Sequence, residues 1–183
     1  MAELPPLRRI VTGHEADGTA VVDSDTTLSA IDPRQTASPA DVTDEERKMK
    51  AGGGFITIWK TDESPANIQG PWKDYHGSGA AIPLSSATGT TVRAVDMPPG
   101  MCSPMHRTVS LDFGVVLAGE VVLVLDGGRE VIVRPGETVV QRGTIHAWHN
   151  RGKIMARVLF VLLPAEPVVI NGEPLEKTQF GVN

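Results

Sequence analysis

From residue 90 onward the chain alternates apolar and polar positions in short runs, each closed by turn residues. Residues 91–95 form the first such run and stop at Pro98-Pro99-Gly100. Residues 113–117 and 121–125 flank Gly119, and Asp126-Gly127-Gly128 turns the chain into 130–133. Pro135-Gly136 turns it again into 138–141, and 146–149 and 156–163 complete the set. Period-two alternation broken by Gly and Pro every few residues is the mark of an all-β sandwich or barrel. Upstream, 7–11 and 19–22 flank Glu15-Ala16-Asp17-Gly18, whose Asp-Gly predicts an N-terminal hairpin. The polar stretch 24–51 reads as a surface excursion, with one short helix at 41–50 opened by a Thr43/Glu46 capping box. Residues 55–59 return to strand character. Residues 61–86, with Pro65, Pro71 and Pro83, form a long irregular segment of the kind that is functional, swapped or packed on a neighbour. No repeat of fixed period is present.

Composition narrows the classes. The 183 residues suit one domain with extensions and can bury a core without disulfides, which a single cysteine, Cys102, rules out within the chain. That cysteine usage favours a reducing compartment. Seventeen basic and 22 acidic residues, net −5, with no basic stripe interleaved with aromatics, argue against nucleic acid. The first 13 residues hold Arg8 and Arg9 but no signal-type apolar stretch, and the run 158–163 is far too short to span a bilayer. The expectation is a soluble cytoplasmic protein. The interior filling is expected from Val115, Leu117, Val122, Val124, Val131, Val133, Val158 and Phe160. With aromatics at 4%, it is mainly aliphatic.

Five histidines are present, His14, His76, His106, His146 and His149, and two sit in unusual company. In a regular strand His106, Thr108, Ser110 and Asp112 would share one face. A stripe of that kind is costly in an apolar core and reasonable on a pocket wall. His146, Trp148 and Asn150 would share another face, with His149 pointing away. Thr108 and Ser110 are also ordinary strand residues, and Trp148 has a packing reading beside that of a substrate platform. His14, His76 and His149 read as surface residues. Nothing marks Cys102 as activated.

The segments Gly100-Met-Cys-Ser-Pro-Met-His106-Arg-Thr108-Val-Ser110-Leu-Asp112 through Gly119, and Gly136 through Gln141-Arg-Gly143-Thr-Ile-His146-Ala-Trp148-His-Asn150, resemble the paired motifs of the cupin superfamily. Gly100, His106, Asp112 and Gly119 fall at the spacing of the first motif, with Thr108 where its second histidine stands and Asp112 in place of its glutamate. Gly136, Gly143, His146 and Asn150 follow the second, with Gln141 replacing a proline and the first gap one residue shorter. The resemblance covers roughly residues 90–163. It implies an antiparallel, jelly-roll-like cupin barrel over 76–183, with residues 1–75 as an N-terminal hairpin and extension packing on the barrel or a partner subunit. It also implies a homodimer, for which the hairpin is a candidate for exchange.

Carried over residue by residue, the resemblance leaves His106, Asp112 and His146 as candidate ligands for one divalent metal (Zn, Fe, Mn or Ni). The same three residues are candidate acid–base catalysts, with Asp112 tuning a histidine if no metal binds. Thr108, Ser110, Gln141 and Trp148 are candidates to hold the substrate. The function expected is a small-molecule enzyme. It would be a lyase (dehydratase or decarboxylase) or an isomerase or cyclase, acting on a carbonyl or carboxylate compound. The alternatives are a non-catalytic small-ligand-binding cupin and a metal-dependent dioxygenase.

Overall fold

The computed structural model describes residues 4–32, 53–78 and 82–178. Ten strands carry the fold: β1 (Leu7–His14), β2 (Ala20–Leu28), β3 (Gly54–Lys60), β4 (Thr91–Met97), β5 (Ser110–Ala118), β6 (Val121–Leu125), β7 (Glu130–Val133), β8 (Thr138–Arg142), β9 (His146–His149) and β10 (Ala156–Pro164). Two short strands, β11 (Val169–Ile170) and β12 (Glu173–Pro174), follow without an expected counterpart. The described residues contain no helix, and the expected helix at 41–50 lies outside them. The expected surface excursion begins later than position 24, because residues 24–28 continue β2 in register with β1.

All pairings are antiparallel. One sheet has the order β3-β4-β10-β5-β8 and a second the order β7-β6-β9. The two face each other across one apolar core. Met97, Val116, Ala156 and Val158 come from the first sheet and Val121, Leu123, Val133 and Trp148 from the second. Val116, Val121 and Val158 are fully buried, each contributing roughly 1.5–3 kcal/mol of hydrophobic stabilisation. Register places Thr91, Leu162, Asp112 and Gln141 in one row across the larger sheet, and Arg93, Phe160, Gly114 and Val139 in the next. Because residues directly opposite share a face, both rows point inward with Val116 and Val158. The expected filling is therefore corrected on β5. Gly114 and Val116 face in, whereas Val115 is half-buried and Leu117 exposed, since the burial of Ser110 and Asp112 sets the opposite parity. Val131 is exposed as well.

The outer face of the larger sheet is covered by the β1–β2 hairpin. Leu28 and Leu7 pack on Ile56, Ala94 and Ile58 there. Beside them Arg157 and Asp96, partners across β10 and β4, form a buried bidentate ion pair at 2.5 and 2.6 Å, and Arg157 also donates to the Pro5 carbonyl. Gly119 closes the β5–β6 turn at φ 69°, where a Cβ would stand 2.7 Å from Ala156.

Candidate functional site

Residues 100–106 run along β9 as an irregular extra strand. Ser103 N donates to Trp148 O, and His106 and His146 exchange both backbone bonds at 2.8 and 2.9 Å. That bridge stacks the two imidazoles with centroids 4.4 Å apart at 53°. The stripe expected on one regular strand is therefore assembled from two pieces. β5 starts only at Ser110, and His106 arrives by pairing with β9. His106 is half-buried, while Thr108, Ser110, Asp112, Gln141 and His146 are buried.

The hydrogen bonds divide these residues into two groups. Trp148 Nε1–H, which can only donate, points at Gln141 Oε1 (3.0 Å), so the Gln141 amide nitrogen faces His146. It lies 2.8 Å from His146 Nε2, and His146 Nδ1 lies 2.9 Å from Thr144 O. A carbonyl requires the proton on Nδ1, and the same amide nitrogen lies 3.2 Å from Nδ1, so Gln141 sits against the imidazole ring and not in line with the Nε2 lone pair. His146 is thus neutral and held in one tautomer. Burial, with His106 as a second cause, pushes its pKa down to about 4. Trp148 meanwhile packs edge-on to Phe160 in the core.

The second group is His106, Thr108, Ser110 and Asp112. His106 Nδ1 donates to Pro104 O at 2.8 Å, which leaves Nε2 as the unprotonated nitrogen, and burial lowers the pKa of this ring also. Thr108 Oγ1 donates to Asp112 Oδ2 at 3.1 Å. Asp112 Oδ1 and Ser110 Oγ have no hydrogen-bond partner, although the Ser110 hydroxyl is close enough to favour the ionised carboxylate. Burial outweighs these contacts and raises the Asp112 pKa from its ordinary value. His106 and Asp112 each feel the other's charge.

Asn150 serves the frame. Its side-chain amide donates to the Met97 and Ile154 carbonyls, and Gly152 N donates to its side-chain oxygen. Cys102 and His14 are exposed. His76 and His149 are half-buried, His149 accepting from Arg151. In the long segment after β3, Tyr75 donates to Asp62, and Asp74 pairs with Arg9. A cleft of about 220 Å³ lies between β5, β8 and residues 165–175, and neither His106, Asp112 nor His146 lines it.

The metal set implied by the resemblance does not fit this arrangement. No group of three or more His, Cys, Asp or Glu side chains among the described residues is placed to hold a metal ion. Two inward residues escaped sequence reasoning, Thr91 and Arg93. Their signal was parity with Val95 and Met97, a polar pair on an otherwise apolar face.

Comparison with known proteins agrees with the fold. A family profile for the cupin domain matches residues 93–162. The cupin-domain-containing oxidoreductase fogC of Aspergillus ruber is 34% identical over 96% of this chain and 81% of its own length. This chain is a member of the cupin superfamily. The cupin-domain-containing oxidoreductase virC of Hypocrea virens is 35% identical over 91% of this chain and 82% of its own. The phomopsin biosynthesis cluster protein C' of Diaporthe leptostromiformis is 37% identical over 94% and 88%. In this cupin the two motif histidines pair across adjoining segments, with His146 buried and His106 half-buried.

Proposed function

We propose that this cupin is a small-molecule enzyme that moves a proton on a carbonyl or carboxylate substrate, as a lyase or an isomerase. One observation carries the reading. A neutral half-buried imidazole, His106, and a buried carboxyl, Asp112, whose Oδ1 has no partner among the described residues, stand at one end of the barrel interior. Desolvation biases both toward their uncharged forms, which equips the first to accept a proton and the second to donate one. His106 Nε2 takes the proton from the carbon beside a carbonyl, the C–H electron pair moves into the enol, and Asp112 protonates the carbonyl oxygen. His146 is a positioning residue, locked by Gln141 and Thr144 and paired with His106 through the backbone. The occurrence of relatives named for a biosynthesis cluster supports a small-molecule substrate.

A second reading, oxidoreductase, is favoured by the names of the relatives fogC and virC. The two are separated by deuterium exchange. A panel of small 2-oxo and 3-oxo acids in D₂O, followed by proton NMR, should lose its C–H signal with wild type and retain it with His106→Gln. The rate should differ by about a hundredfold or more. Absence of exchange, together with consumption of oxygen or of a nicotinamide cofactor, would replace proton transfer by the redox reading.

A further inference from the structure

The charged groups buried in this fold are unequally matched. Arg9 is paired with Asp74 at 2.5 Å and Arg157 with Asp96 at 2.5 Å, and Lys60, the cation nearest on β3, is paired with Asp62. Arg93, 5% exposed, has no carboxylate among the described residues. Its Nη2 donates to the Pro83 carbonyl at 2.6 Å, its guanidinium lies 5.8 Å from the Phe55 ring centre, and its Nε has no partner. Burial without a counter-charge pushes its pKa down to about 10. An unmatched buried guanidinium is costly to folding, so its retention asks for a use.

Its surroundings indicate one. Five buried side-chain atoms among the described residues lack a partner, and four belong to the inner face of the larger sheet: Thr91 Oγ1, Arg93 Nε, Ser110 Oγ and Asp112 Oδ1. Thr91 stands two residues from Arg93 on the same face of β4. Asp112 lies diagonally across, on β5, with β10 between them. At the usual strand spacing Asp112 is roughly 10 Å from Thr91, straight across, and roughly 12 Å from Arg93, on the diagonal. The Phe160 side chain, in the row of Arg93, lies over Gly114, where a Cβ would meet its ring at 3.0 Å. The ring is thus drawn to the β5 side of its strand.

We propose that Arg93, with the Thr91 hydroxyl, binds the carboxylate of a small substrate whose reacting carbonyl lies toward Asp112 and His106. This rests on the proton-transfer reading above only for the second half, since anion binding by Arg93 stands without it. A carboxylate fits better than a phosphate. One planar guanidinium matches one carboxylate in charge and geometry, and among the described residues no second unpaired cation is buried nearby to balance a dianion.

Two measurements on the full chain test it. The first is thermal melting of Arg93→Met and Arg93→Lys. Arg93→Met should melt at or above the wild-type temperature, because an uncompensated buried charge is removed, and Arg93→Lys close to it, because the charge is kept. A melting temperature far below wild type in Arg93→Met would make Arg93 a structural residue and overturn the proposal. The second is calorimetric titration with sodium pentanoate and benzoate, their amides, and inorganic phosphate. Wild type should prefer each acid over its amide by about tenfold or more, and Arg93→Met should lose that preference. No preference in wild type, or phosphate bound as tightly as the acids, would overturn the proposal. His106→Gln should keep the preference. If it does while no substrate exchanges deuterium, the carboxylate site stands and the proton-transfer reading falls.

Discussion

The two faces of the larger sheet treat buried charge in opposite ways. On the outer face Arg157 and Asp96 satisfy each other through two bonds and the N-terminal segment completes the set, while Leu28, Ile56 and Ala94 seal the surroundings. On the inner face, strands of the same sheet carry Arg93 and Asp112 without an ion-pair partner, and the Thr91 and Ser110 hydroxyls without a hydrogen-bond partner, among the described residues. Sequence composition is alike on both faces, one arginine and one aspartate within reach of each. What differs is completion. A closed network adds to stability, whereas an open one reduces it and is retained where a ligand completes it.

That contrast is sharpest for Asp96→Ala, which strands Arg157 in the outer layer. It should cost about 3–5 kcal/mol in urea unfolding, because a buried guanidinium is left without its carboxylate. A loss below about 1 kcal/mol would erase the difference between the faces, since it is the size of an exposed ion pair.

The interior that this inner face shares with the smaller sheet, where His146 lies on β9, should also be the pH-sensitive side. The pKa of His146 is held at about 4 in the fold against 6.5 in an unfolded chain. The unfolded state therefore takes up a proton first, so stability is complete above pH 6.5 and declines as pH falls toward 4. The decline attributable to this ring is about 3 kcal/mol. Urea midpoints between pH 7.5 and 4.5 should fall less steeply for His146→Gln than for wild type. Identical slopes would assign the acid sensitivity elsewhere.

The smallest effect is expected at Asp112. Its pKa is raised, so ionising it in the fold reduces stability as pH rises past the ordinary carboxylate range. Asp112→Asn keeps an acceptor for Thr108 and removes that cost. It should equal wild type in urea midpoint at low pH and exceed it at pH 8, while losing the proposed proton transfer. Destabilisation at pH 8 would place Asp112 among satisfied structural groups, like Asp96.

Much of this architecture is written in local pattern. Strands β6, β7 and β9 begin and end where alternation and turn residues put them, and β1, β3, β4, β5, β8 and β10 differ only by extension at their ends. Strand identity survives such reading because side-chain period and turn chemistry are short-range properties. The motif positions His106, Asp112 and His146 were legible from spacing. Their division of labour was not, because it depends on Trp148 orienting Gln141 from a position seven residues away in sequence.

By itself, then, the sequence determined an all-β barrel and a polar stripe with two histidines at its edge, through alternation, glycine placement and motif spacing. Only the tertiary structure decided which nitrogen each histidine presents, that Trp148 turns the Gln141 amide nitrogen toward His146, and that Arg93 faces inward with no carboxylate among the described residues. Those properties belong to hydrogen-bond partners and strand register brought together across sheets, and neither is encoded at any one position of the chain.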